Sequence, residues 1–347
     1  MAISNQWQKE AGPRLQGSRP LDLSKVQAPG VAPIPSGGYR LFYTAVGPDK
    51  PYPTCQGYIL SAVSDDGLTF RPEPGIRLAP QPSLPHISLR VIAPTIAAGA
   101  DGRWRMYFEA RGSADRPTVI CSAISADMLE WELEEGIRLQ LSGSVRAPRY
   151  LPLTDGRGRL YCCGVEFGPG GPTGGEVISQ GVISAVTTDG LNFEWEPGYR
   201  LEPSQEQCET GGFSAAEVIA PTAADDQWTL FYSAWQDVPP GTVVAPHPSQ
   251  DANAEENGLS DNFAAASIAS DLAGFRSRIF TAYSNDGLVW QRGACVIEGE
   301  GYDGEGLDAV HAEDMSVVAF DDGKYRMYYA ACGKEGNWLI ASALTAP

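Results

Sequence analysis

The sequence predicts an all-β protein, a single five-bladed β-propeller with four antiparallel strands per blade. Three observations predict it. An aromatic strand motif recurs five times, as YRLFYTA (39–45), WRMYFEA (104–110), RLYCCG (159–164), WTLFYSA (228–234) and YRMYYAA (325–331). A turn motif recurs four times, as SDDGLTF (64–70), SADMLEW (125–131), TTDGLNF (187–193) and SNDGLVW (284–290). The chain also starts with WQKEAGPRL (7–15), a near-copy of the segments that follow the internal turns.

Each repeat reads as four strands. The first is KVQAP (25–29), RVIAP (90–94), SVRAP (144–148), EVIAP (217–221) or HAEDM (311–315), and the aromatic motif is the second. The third is apolar: YILSAVS (58–64), VICSAIS (119–125), VISAVT (182–187), IFTAYS (279–284) and WLIASALTAP (338–347). The turn that follows is built for a tight hairpin. Its hydroxyl and Asp can bond turn amides, Gly takes a positive φ, and the aromatic anchors the next strand. The fourth strand is FRPEPGIRL (70–78), WELEEGIRL (131–139) or FEWEPGYRL (193–201). Short strands at regular spacing argue for an all-β fold, and four strands per repeat select a propeller.

The last repeat lacks a fourth strand, and residues 7–15 supply it. That closes the ring and removes an open sheet edge. The expected blades are about 25–78, 88–139, 144–201, 215–298 and 308–343 with 7–15. Blade 4 carries a long insertion, about 236–276, with a short helical stretch near 262–273. It reads as a lid over one end of the ring. The other long connections, between strands two and three and between blades, open on that same end, where function is expected.

Composition sets limits on partners. The net charge is −18, which argues against nucleic acid and polyanions and fits a neutral saccharide or another small molecule. No apolar run reaches membrane-spanning length, so no membrane partner is expected. The start of the chain has no signal-peptide pattern. The seven cysteines show no CxxC spacing and read as reduced thiols, so the expected location is cytoplasmic. Oligomeric state is not legible.

The first residues of the innermost strands should crowd the axis at the long-loop end. An ungapped alignment of the five blades puts Lys25, Arg90, Ser144, Glu217 and His311 at one position. Gln27, Ile92, Arg146, Ile219 and Glu313 come two residues later, then Ala28, Ala93, Ala147, Ala220 and Asp314. A purely structural ring would repeat one residue type, whereas this one varies and carries charge. Arg90, Arg146, Glu217, His311, Glu313 and Asp314 are therefore central candidates, with an internal ion-pair network as the alternative. Tyr43, His86, Glu109, Arg111, Glu166, Glu209 and Trp235 could reach the mouth from strand-two ends and loops. Two histidines are too few for a zinc site. No cofactor is expected; a structural cation on the axis stays open.

The (V/I)xAP, YRMYY and SxDGLxW pattern resembles the five-bladed propellers of the arabinanase, xylosidase, invertase and levansucrase superfamily of glycoside hydrolases. The resemblance spans nearly the whole chain. It implies an acidic trio at the mouth, because glycosidic cleavage uses paired carboxylates. The family's blade-opening Asp-Pro corresponds here to Ala28-Pro29 and Ala147-Pro148, and Ile219 stands at the expected Glu position. Only Asp314 keeps an acid in that register, followed by Met315. The usual trio is therefore not in its usual places.

Three readings follow. One is a glycosidase-like enzyme with Glu217 as acid/base and Asp314 or Glu313 as base or nucleophile. Another is a lyase, isomerase or cyclase in which Arg90, Arg146 and His311 orient an anion or carbonyl. The third is a saccharide- or ligand-binding propeller without catalysis.

Overall fold

The computed structural model describes residues 6–23, 25–46, 56–99, 101–113, 115–171, 174–204, 208–222, 226–237, 275–320, 323–334 and 336–345. Strand pairing among them gives five antiparallel units of four strands. Blade 1 runs Lys25–Pro33, Tyr39–Val46, Gly57–Ser64 and Arg71–Pro72 from the axis outward. Blade 2 runs Arg90–Ala98, Trp104–Arg111, Val119–Ser125 and Glu132–Leu133. Blade 3 runs Ser144–Pro152, Gly158–Phe167, Val177–Thr187 and Glu194–Trp195. Blade 4 runs Gly212–Ile219, Trp228–Asp237, Phe275–Ser284 and Gln291–Ile297. Blade 5 runs His311–Ala319, Tyr325–Cys332 and Trp338–Thr345. Its outer strand is supplied by the start of the chain, where Trp7 pairs with Thr345 and Leu15 with Ile340. Each innermost strand packs on that of the next blade, and the fifth packs on the first.

The turn motif does what its residues suggest. In blade 1 the Ser64 hydroxyl accepts the Gly67 amide at 2.9 Å, and Asp66 accepts the Leu68 and Thr69 amides. Gly67 has φ +69°, which glycine adopts without a Cβ clash. The turn also ties blades together. The Tyr328, Tyr107 and Tyr161 hydroxyls donate to the carbonyls of Gly67, Gly190 and Gly287, each in the following blade. These rings are fully buried, so each adds roughly 1.5–3 kcal/mol of apolar burial.

A second recurring unit lies within the blades. Arg40 grips Glu73 through two hydrogen bonds, 2.8 and 2.9 Å, while Ser61 donates to Glu73 at 2.7 Å. Arg105, Glu134 and Ser122 repeat it, as do Arg159, Glu196 and Ser184. In blade 5 the arginine is Arg326, the serine is Ser342 and the acid is Glu10 from the chain start. Blade 4 has Thr229, Thr281 and Gly293 at these places instead.

The outer strands differ from the expectation of one continuous strand. In blades 1 to 3 each is a two-residue piece followed by a single bridge, Leu78 to Ile59, Leu139 to Ile120 and Leu201 to Val182. Glycine is the cause. Gly75, Gly136 and Gly198 turn the chain out at φ +80° to +91°, and the following arginine folds back onto a carbonyl three residues earlier. Blade 4 lacks that glycine–arginine pair and keeps an unbroken Gln291–Ile297. Of the expected lid at about 236–276, the ends at 236–237 and 275–276 continue the second and third strands of blade 4, and 238–274, with the expected short helix, lies outside the described residues. None of the six described cysteines is in a disulfide, and Cys55 lies outside the described residues. No helix among the described residues is long and apolar enough to cross a membrane.

Candidate active site at the propeller axis

Every innermost strand carries one extra residue against its neighbour. The register shifts between Gln27 and Gly30, Ile92 and Thr95, Arg146 and Arg149, Phe213 and Ala215, and Glu313 and Ser316. These are β-bulges, and they re-aim the chain at the axis. At four of them the bulged residue has a positive φ: Ala28 +46°, Ala93 +51°, Ala147 +47° and Asp314 +52°. Such φ values in non-glycine residues are strained and persist only where the surroundings impose them. Side chains of the preceding blade do so by accepting the bulged amides. Thr44 accepts from Ala93 at 2.9 Å, Glu109 from Ala147 at 3.1 Å and Ser233 from Asp314 at 3.3 Å.

The bulges correct the alignment of blade 4. Glu217 pairs with Phe231, as Gly30 pairs with Phe42. Glu217 is therefore equivalent to Gly30, Thr95, Arg149 and Ser316, not to Lys25 or His311. Blade 4 starts at Gly212, and its mouth residues are Phe213, Ser214 and Ala215. The EVIAP segment imitates the opening motif, but its proline lies beyond the end of the strand.

Below the bulges the axis is filled by Arg149, which the sequence did not single out. Its guanidinium donates to the carbonyls of Pro29 (3.2 Å), Pro94 (3.4 Å), Pro148 (3.0 Å) and Met315 (3.0 Å). These are the carbonyls after the bulged residues of four blades. Blade 4 answers instead with the Glu217 carboxylate, 2.9 Å from Arg149 Nε. Burial pushes the Glu217 carboxyl up to about 7, against the pull of Arg149. The arginine charge thus stands within the carbonyl ring on the axis. No group of three or more potential metal-ligating side chains occurs among the described residues.

Above Arg149 lies a cavity of about 80 Å³. Ala28, Ala93, Ala147 and Ala215 cluster at its base beside Asp314. Gln27, Ile92, Arg146, Ser214 and Glu313 line it one residue earlier, with Thr44, Glu109, Arg111 and Trp235 from the second strands. Six expected site residues thus meet here: Glu109, Arg111, Arg146, Trp235, Glu313 and Asp314. Glu109 is bound to Arg111 at 2.6 Å and to the Ala147 amide. Glu313 accepts Trp235 Nε1 at 2.7 Å and Gln27 Nε2 at 3.3 Å. Asp314 is different: its carboxylate makes no hydrogen bond among the described residues. Burial and the nearby Glu109 charge raise it, against Arg149, Lys25 and Arg146, to about 6.

The other expected residues do not line the cavity. Glu217 sits under it with Arg149, so Glu217 and Asp314 do not share one chamber. Tyr43 donates to Asp22 at 2.8 Å, and the equivalent Tyr232 and Tyr329 donate to Glu209 and Asp308. This explains both Tyr43 and Glu209 as links between a blade and the loop leading into it. His311 is buried between blades 4 and 5, stacked on Trp338 at 5.4 Å and 3.2 Å from the Ser277 hydroxyl. Arg90 is buried at the start of its strand, opposite Arg111. His86 lies in the 3-10 turn Pro85–Ile87, where burial and Arg116 lower its pKa. Glu166 accepts Ser179 at 3.3 Å on the blade 3 hairpin.

No protein-family model matches the chain, and no curated protein matches it in sequence. Solved structures do. The Listeria innocua β-1,2-mannobiose phosphorylase, complexed with β-1,2-mannobiose, superposes with a TM-score of 0.67 at 12% identity, covering 99% of this chain and 96% of that one. A member of a mannoside phosphorylase family containing hydrolases that target β-1,2 mannosidic linkages in Candida mannan gives 0.63 at 13%, covering 100% and 95%. A thermostable family-43 glycoside hydrolase gives 0.58 at 14%, covering 91% and 88%. The fold is that of propeller glycoside hydrolases and glycoside phosphorylases.

Proposed function

We propose that the protein acts on a saccharide in the axial cavity and cleaves a glycosidic bond with Asp314 as proton donor. The observation that carries this is the state of Asp314, a carboxyl on the cavity floor, free of hydrogen bonds among the described residues and raised to about 6. A glycosidic oxygen is a poor leaving group until it is protonated. An acid with a pKa near the working pH is suited to that step. Glu313 is another carboxyl of the chamber, held in place by Trp235 Nε1 and Gln27 Nε2. In this reading Asp314 protonates the leaving oxygen, and Glu313 is the base or the stabiliser of the positive charge that develops on the sugar. Trp235 is the aromatic face beside them. The fold of the neighbours, two of which are named for β-1,2-mannosides, supports a saccharide. The sequence resemblance supports the same class.

The test is a panel of aryl pentosides, hexosides and fructosides, with wild type and Asp314→Asn. Cleavage of at least one member, lost by 100-fold or more in the variant with substrate binding retained, is expected. Silence of the wild type across the panel would overturn the hydrolytic reading.

A further inference from the structure

The Arg146 guanidinium is left unused by that chemistry. It lines the axial cavity and is 8% exposed. Its one hydrogen bond among the described residues runs from Nη2 to the Phe213 carbonyl at 3.4 Å, and its Nε is buried without an acceptor. No carboxylate among the described residues stands within 4.0 Å of it. Elsewhere in the fold, buried arginines are better satisfied: Arg40, Arg111 and Arg149 meet Glu73, Glu109 and Glu217, and Arg14, Arg77 and Arg200 each donate to two backbone carbonyls. The acids nearest Arg146 in the cavity have other partners. Glu109 serves Arg111 and the Ala147 amide, and Glu313 serves Trp235 and Gln27. The Trp235 ring lies 6.0 Å from the guanidinium carbon, a cation–π distance that leaves the cation's edge for a ligand.

Two guanidinium groups, Arg111 and Arg146, line the cavity, and two of its carboxylates, Glu109 and Glu313, are already engaged by Arg111 and by Trp235. A buried cation without a counter-charge is costly. Hydroxyl groups of a neutral sugar can accept its hydrogen bonds, yet they leave the charge uncompensated. An oxyanion satisfies both, because two of its oxygens match the guanidinium fork.

We propose that Arg146, with Arg111 beside it, forms an oxyanion subsite in the axial cavity, taking either a carboxylate carried by the sugar or a free phosphate. The inference rests on the cavity being a saccharide site, and it adds that the substrate or its co-substrate is anionic.

Calorimetric titration of the full chain with inorganic phosphate, D-glucuronate and D-glucose tests it. At least one anion should bind, with glucose at least tenfold weaker. Arg146→Gln should lose that binding by tenfold or more, and Arg146→Lys should lose less. Preference for phosphate or for glucuronate identifies the source of the oxyanion. Melting curves check that the variants fold; should Arg146→Gln not fold, the wild-type contrast between anions and glucose decides. The same titrations on Asp314→Asn separate the two ideas. Anion binding retained there, with no cleavage by the wild type, keeps the subsite and removes the catalytic reading. Failure of both anions to bind, or binding that Arg146→Gln leaves within twofold, overturns the subsite even if neutral glycosides are cleaved.

Discussion

Glu10 and Arg326 stand 316 residues apart in the chain and meet through two charge-assisted hydrogen bonds, 2.8 and 3.0 Å. Ser342 adds a third bond to the same carboxylate at 2.6 Å. The first strand therefore enters blade 5 with the same arginine, acid and serine that blades 1 to 3 build from consecutive sequence. Removing residues 1–16 strips blade 5 of its outer edge and should lower the melting temperature of the whole ring. Glu10→Ala alone should cost about 1–3 kcal/mol, since it leaves Arg326 without its acid. Urea unfolding measures both, and a truncated chain that melts like the full one would remove this closure.

Arg149 should matter for stability more than any mouth residue. Arg149→Met leaves four carbonyls and the Glu217 carboxylate without their donor. The expected loss is about 3–5 kcal/mol, the range for breaking a buried pair from one side. Arg149→Met with Glu217→Gln should be milder than Arg149→Met alone, because the orphaned charge is also gone. A double-mutant cycle in denaturant reads that coupling, and additive losses would show that the two residues act separately.

The raised carboxyl of Asp314 has a signed consequence. Its folded pKa, about 6, lies above the ordinary aspartate value of 3.8, so between these pH values the folded state holds the extra proton. Its contribution to stability is full below about pH 4 and is lost as pH rises through about 6. Asp314→Asn should flatten the stability profile over that window, as seen in melts from pH 3.5 to 7.5. As a proton donor, Asp314 should also make kcat/KM fall above about pH 6; a profile that rises there instead would contradict the donor role.

Trp235 acts through Glu313 in this geometry. Trp235→Phe keeps an aromatic face but removes the Nε1 donor at 2.7 Å. A fall in kcat of about tenfold, with KM nearly unchanged, is the expected split for a positioning residue. If KM alone rises, the ring and not its N–H is what matters.

Ala28 holds φ +46° before a proline, a place where the left-handed region is doubly unfavourable. Ala28→Gly should stabilise the ring by up to about 1 kcal/mol. Ala28→Val should destabilise it, because the β-branch adds strain at the same φ. Equal melting temperatures for the two variants would mean that the bulge relaxes.

The fold was legible because its signals are local and repeated. A hydroxyl, an aspartate and a glycine make the same turn wherever they recur. The recurrence counts the strands and reveals the displaced one at residues 7–15. Glu109, Arg111, Arg146, Trp235, Glu313 and Asp314 were legible as mouth residues because the strand ends that carry them were. The tertiary structure alone decided the level of each blade along the axis. The pairing of Glu217 with Phe231, in a strand that starts at Gly212, sets Glu217 beside Arg149, while the sequence EVIAP suggested the opening of a strand. It also decided that Arg149 fills the axis, since its acceptors come from four blades and no local pattern brings them together. The repeat is fixed by short-range chemistry. The chamber is fixed by how five copies of that repeat meet, and no local motif marks Arg149 as the residue that fills the axis.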